Sequence, residues 1–142
     1  VSILHPARTL IEKLLRVNNF AAVPEAHEGA HGWPRIGRQL YDIWALLGAE
    51  EVLGLLANPT ASAATLASCF GVSQAFTPDQ PVRGWIRTLV DLRSRGAFAP
   101  RLRVEHQAAL CQLYCGADPA PTFDDVLVRV RERAQLLDIG PA

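Results

Sequence analysis

Apolar residues recur along this chain every three or four positions, the spacing that gathers them on one face of an α-helix. Leu10, Ile11, Leu14 and Leu15 form such a stripe behind Pro6, a residue suited to a first helical turn. Ile36, Leu40, Ile43, Trp44 and Leu47 form a second over Arg35–Leu47, with Gly48 as its stop. Between the two, the segment from Pro24 to Pro34 carries paired prolines and glycines and reads as a loop. A third helix is expected over Glu50–Ala57, closed by Asn58-Pro59, and a short alanine-rich one over 61–70, ended by Gly71. Trp85, Ile86, Leu89 and Val90 mark the buried face of a further helix between Pro81 and Gly96. Another is expected from Val104 to Cys115. The last starts at Thr122, a good N-cap residue, with Asp124 and Asp125 where carboxylates meet the positive end of the helix dipole. Its inward face is Val126, Leu127, Val130, Ala134 and Leu137. Strand alternation and internal repeats are both missing from the pattern. The expectation is an all-α fold of six or seven helices, in one domain spanning 1–142.

Composition narrows the function classes. Hydrophobic residues make up 49% and charged residues 20%, as in ordinary soluble domains. The formal net charge is zero, so no global field recruits nucleic acid or anionic lipid. No apolar run approaches the roughly 20 residues of a membrane span. The first residues lack the zones of a signal peptide. Three cysteines, an odd number, fit a reducing compartment better than a disulfide frame, which makes a cytoplasmic location the expectation. Methionine is absent even at position 1, which reads as a processed chain or a fragment. Thirteen of the fourteen basic side chains are arginine, and Lys13 is the exception.

Several groups of residues invite a chemical reading. His27, Glu28 and His31 satisfy the H-E-x-x-H zinc-hydrolase pattern, with Glu50 and Glu51 at a distance suited to a third ligand. That pattern needs a helix to aim both imidazoles at one metal, and Gly29 and Gly32 with flanking prolines argue for a polar loop instead. Cys111 and Cys115 stand four apart without a completing ligand and read, like Cys69, as buried small hydrophobes. His5 and His106 have no evident partner in the sequence. Arg35, Arg38 and Asp42 share one helix face, where an exposed Arg38–Asp42 ion pair is the plain reading. Glu12 and Arg16 suggest a similar pair. Lys13, on the flank of its stripe, either snorkels to solvent or points into a cleft between helices. Six arginines lie between Arg83 and Arg103 against one acid, Asp91. Arg83, Arg87, Arg93 and Arg95 are therefore candidates for RNA phosphates, against the plainer reading of a solvated helix face.

Taken together, "LHPARTLIEKLL", the histidine-bearing loop and "PRIGRQLYDIWALL" resemble the C-terminal half of the AbiEii/AbiGii-type nucleotidyltransferase toxins of bacterial toxin–antitoxin and phage-defence systems. "GAFAPRLRVEHQAALCQLYCGADPAPTFDDVLVRV" resembles that family's closing helices, so the likeness covers most of the chain. The resemblance implies transfer of a nucleotide from a nucleoside triphosphate, with Mg²⁺, to an RNA acceptor such as tRNA, and an antitoxin protein as a possible partner. It implies catalytic roles for Lys13 and Asp42 and triphosphate contacts for Arg35 and Arg38. The family's metal-binding carboxylates belong to a Gly-Ser and Asp-x-Asp stretch in an N-terminal half, and neither pattern occurs in this sequence. Gln39 also stands where relatives often carry His or Asp. The expectation is thus a helical C-terminal domain of a longer toxin or a degenerate relative, inactive and free of cofactor by itself. The alternative is a non-catalytic helical module that binds a protein partner or RNA.

Overall fold

Pro6 and the stripe behind it begin the first helix, α1 (Pro6–Ala22). His5 caps it, its Nδ1 accepting the Ala7 backbone N–H at 3.1 Å. In the computed structural model, which describes residues 5–22, 32–76 and 98–139, six more helices follow. They are α2 (Trp33–Leu46), α3 (Glu50–Leu56), α4 (Pro59–Phe76), α5 (Phe98–Leu113), α6 (Phe123–Glu132) and α7 (Ala134–Leu137). No strand occurs among the described residues, and the fold is all-α. The helix expected between Pro81 and Gly96 lies outside them.

Several boundaries differ from the sequence pattern, among them those of α5, which runs from Phe98 to Leu113 where a helix from Val104 to Cys115 is expected. α2 starts at Trp33, because Pro34 lacks only an N–H that the first turn leaves unpaired anyway. Asn58-Pro59 ends one helix and also starts the next, since the Asn58 side chain accepts the Ala61 N–H at 3.1 Å. α4 then runs through Gly71 to Phe76. The last predicted helix breaks at Arg133 into α6 and α7. Its start is as expected: Thr122 Oγ1 accepts the Asp125 N–H at 3.1 Å, and the Asp125 carboxylate accepts the Thr122 N–H at 2.9 Å. This reciprocal capping box satisfies two backbone donors that the helix end would otherwise strand.

The predicted stripes become the core. Leu10, Ile11, Leu14, Leu40, Ile43, Leu47, Phe123 and Leu137 are all fully buried in one cluster that draws on every helix from α1 to α7. α2 is the central element, packed on α1, α5 and α6. Its approach to α5 is close enough to require a glycine: a Cβ on Gly37 would lie 2.5 Å from the Glu105 carbonyl oxygen. At the other end, Arg129 of α6 donates to the Trp44 carbonyl at 2.9 Å and lies 4.1 Å over the Trp44 ring. A guanidinium there meets the negative end of α2 and an aromatic face at once.

Candidate functional site

Lys13 leaves α1 on the side that faces α2. Its ammonium sits 2.8 Å from Asp42 Oδ2 and donates to Gln39 Oε1 at 3.0 Å. Gln39 is itself held, its Nε2 donating to the Arg35 carbonyl one turn back. The sole lysine thus points neither to bulk solvent nor along its own helix; it joins α1 to α2. The pair remains partly open, with Lys13 21% and Asp42 47% exposed, so its contribution to stability is at most about 1 kcal/mol. Asp42 takes Lys13 rather than the Arg38 partner that helix spacing offered. Glu12 likewise pairs with Arg8, at 3.2 Å, rather than with Arg16.

Gln39 and Asp42 also border a cavity of about 570 Å³ between α2 and the C-terminal half of α5. Arg38 reaches the same cavity, while exposed Arg35 is not among its lining residues. The walls are mainly apolar and aromatic: Ala109, Leu110 and Leu113 of α5, Tyr41 of α2, and Tyr114 just beyond α5. A few polar groups converging on an apolar cleft of this size is the usual make-up of a small-molecule site. Tyr41 and Tyr114 stand 5.7 Å apart between ring centroids, inclined at 59°. Tyr114 is fixed by donating its hydroxyl to the Asp118 carbonyl at 2.7 Å, and loss of hydration raises its phenol pKa.

His106 lines this cavity from α5 and is fully buried. Its Nε2 lies 3.0 Å from the Pro121 carbonyl oxygen. A carbonyl only accepts, so Nε2 is the donor in this contact, and in the Nε2–H tautomer Nδ1 is a lone-pair acceptor. Nδ1 has no hydrogen-bond partner. A buried polar atom left in that state costs about 1–3 kcal/mol.

The remaining sequence candidates separate from this cluster. His27, Glu28 and His31 lie outside the described residues, as do Arg83, Arg87, Arg93 and Arg95. Glu50 and Glu51 are exposed in the first turn of α3. Among the described residues, no group of three His, Cys, Asp or Glu side chains is placed to hold a metal ion. The described end of the arginine-rich stretch is engaged: Arg101 pairs with Glu105 at 3.1 Å, and Arg103 grips both Asp124 oxygens at 3.1 and 2.9 Å. Cys111 and Cys115 are exposed rather than buried, Cys111 in the last turn of α5 and Cys115 beyond the helix end; Cys69 is buried as expected.

The fold and cleft define an all-helical domain with a small-molecule-sized cavity beside a lysine–aspartate pair. Comparison of the chain with protein-family models, curated proteins and solved structures finds no match. Among the described residues, no single helix is long and apolar enough to cross a membrane.

Proposed function

We propose that this chain is the helical part of a nucleotidyltransferase-type toxin, and that Lys13 and Asp42 form its contribution to the site. The supporting observation is the placement of the ammonium: it lies between α1 and α2, 2.8 Å from Asp42 and bonded to Gln39, two residues that line a cleft which Arg38 also lines. Asp42 holds Lys13 in place. A triphosphate entering the cleft offers the ammonium stronger anionic oxygens, and a compact charge there stabilises the negative charge that develops on a departing pyrophosphate. Arg38 supplies a second, forked cation for the same oxygens.

Among the described residues, no group of three His, Cys, Asp or Glu side chains is placed around Asp42. The Asp42 carboxylate is already paired with Lys13. In this reading Mg²⁺ is held by carboxylates of a separate catalytic half, and transfer to tRNA requires that half.

The test is incorporation of labelled nucleotide into tRNA by the full-length gene product. Lys13→Ala and Asp42→Ala should each reduce transfer at least a hundredfold while leaving thermal stability nearly unchanged, since a half-exposed pair stabilises little. Lys13→Arg should restore little of the activity, because a planar fork does not replace a point charge. Full activity in Lys13→Ala would sink the proposal. If the full-length protein transfers nothing yet binds RNA or an antitoxin, the non-catalytic reading takes its place.

A further inference from the structure

We infer that the cavity between α2 and α5 seats the base of the nucleotide, with Tyr41 and Tyr114 as its stacking wall and His106 Nδ1 as the acceptor for an N–H on the base edge. This rests on the nucleotidyl-transfer reading and goes beyond it, because it assigns the part of the substrate that carries no charge.

Three features converge. The first is shape and chemistry: about 570 Å³ of cleft, with apolar and aromatic walls, suits a planar heterocycle with its sugar. The second is the aromatic pair, whose Tyr114 ring is pinned from behind. Its hydroxyl donates to the Asp118 carbonyl, and Gly116 leaves room for it where any Cβ would collide with the phenol. A fixed aromatic face stacks on any base at little entropic cost. The third is the buried, unpartnered Nδ1 of His106, a lone-pair acceptor whose ring is oriented by Pro121. Every common nucleobase carries an edge N–H able to donate to it. The ring is sealed from water, so a base reaches Nδ1 only as the cavity lining gives way. Polarity differs between the two walls: Ala109, Leu110 and Leu113 of α5 are apolar, while α2 offers Arg38, Gln39 and Asp42, the last paired with Lys13 of α1, and the phosphates would lie against that wall.

The experiment compares ATP and CTP with tripolyphosphate, which offers the phosphates without a base, in calorimetric titrations of this chain. Both nucleotides should bind at least tenfold more tightly than tripolyphosphate. Leu113→Trp changes an exposed cavity residue and should leave folding intact. It should abolish the advantage of the nucleotides while tripolyphosphate binding stays the same. His106→Gln can keep the bond to Pro121 and removes Nδ1, and it too should erase most of the advantage. In isotope-labelled protein, the His106 Nδ1 resonance should shift with ATP or CTP and stay still with tripolyphosphate.

Equal binding of the nucleotides and tripolyphosphate, or a His106 resonance that nucleotides leave unmoved, overturns the inference. Lys13→Ala separates this from the wider reading. It should weaken all three probes together, whereas loss of base recognition with intact Lys13-dependent phosphate binding would remove only the base seat.

Discussion

The Asp124 carboxylate carries two tasks at the residue level. It lies in the first turn of α6, where the helix dipole favours an anion, and it accepts both hydrogen bonds from Arg103 of α5. The Arg103 guanidinium also sits 4.8 Å over the Phe123 ring, so the pair covers the buried phenyl group beneath it. The hydrogen bond from Arg103 lowers the Asp124 pKa. A carboxyl depressed in the folded state contributes stability that is present above its unfolded pKa of about 3.9 and is lost as pH falls through the lower folded value. Asp124→Asn should therefore flatten the acid limb of a stability–pH curve and leave the slope above about pH 6 unaltered. Chemical denaturation at a series of pH values measures both limbs. An unchanged acid limb would mean that Arg103 exerts no differential hold on the ionised form.

At the level of elements, helix pattern was far more legible than helix crossing. The stripes on α1, α2 and α6 follow from periodicity, and the capping box follows from Thr122 with acids behind it. Lys13 and Asp42 drew notice as a lone lysine and a neighbour of arginines, but their contact joins positions 29 apart across two helices, which no local spacing encodes. Tyr114 and His106 were silent because a cavity wall and an unpaired ring nitrogen exist only after α5 has docked. Gly37, which the hydrophobic pattern passes over, marks that docking. A glycine inside a helix costs about 1 kcal/mol relative to alanine, and here the missing side chain admits the Glu105 backbone. Gly37→Ala should improve the intrinsic helicity of α2 and still destabilise the protein by about 1–3 kcal/mol, because backbone cannot move aside as a side-chain tip can. Urea unfolding measures the loss. A neutral or stabilising Gly37→Ala would show that α2 and α5 separate without penalty.

For the molecule as a whole, the continuity of the core decides how it opens. One cluster of buried residues runs from Ala7 on α1 to Ile139 beyond α7, with Leu66 and Cys69 tying α4 into it. Cys69 sits where α4 meets α1: its sulfur is 4.0 Å from the Arg8 carbonyl, and the Arg8 guanidinium donates to the hydroxyl of the preceding residue, Ser68, at 2.6 Å. Burial raises the Cys69 thiol pKa, so even transient access finds little thiolate, the form that reacts. Cys111 and Cys115 are exposed and act as an internal control. A maleimide reagent should label those two within the mixing time and Cys69 only as the protein opens. If the shared core makes unfolding cooperative, the free energy of opening derived from Cys69 labelling should equal that from urea unfolding, and both should fall in step with added denaturant. Cys69 labelling that is much faster and insensitive to denaturant would show instead that α4 detaches from α1 while the rest of the core stays closed. The cleft between α2 and α5 would then keep its shape through that local opening, whereas cooperative unfolding destroys both together.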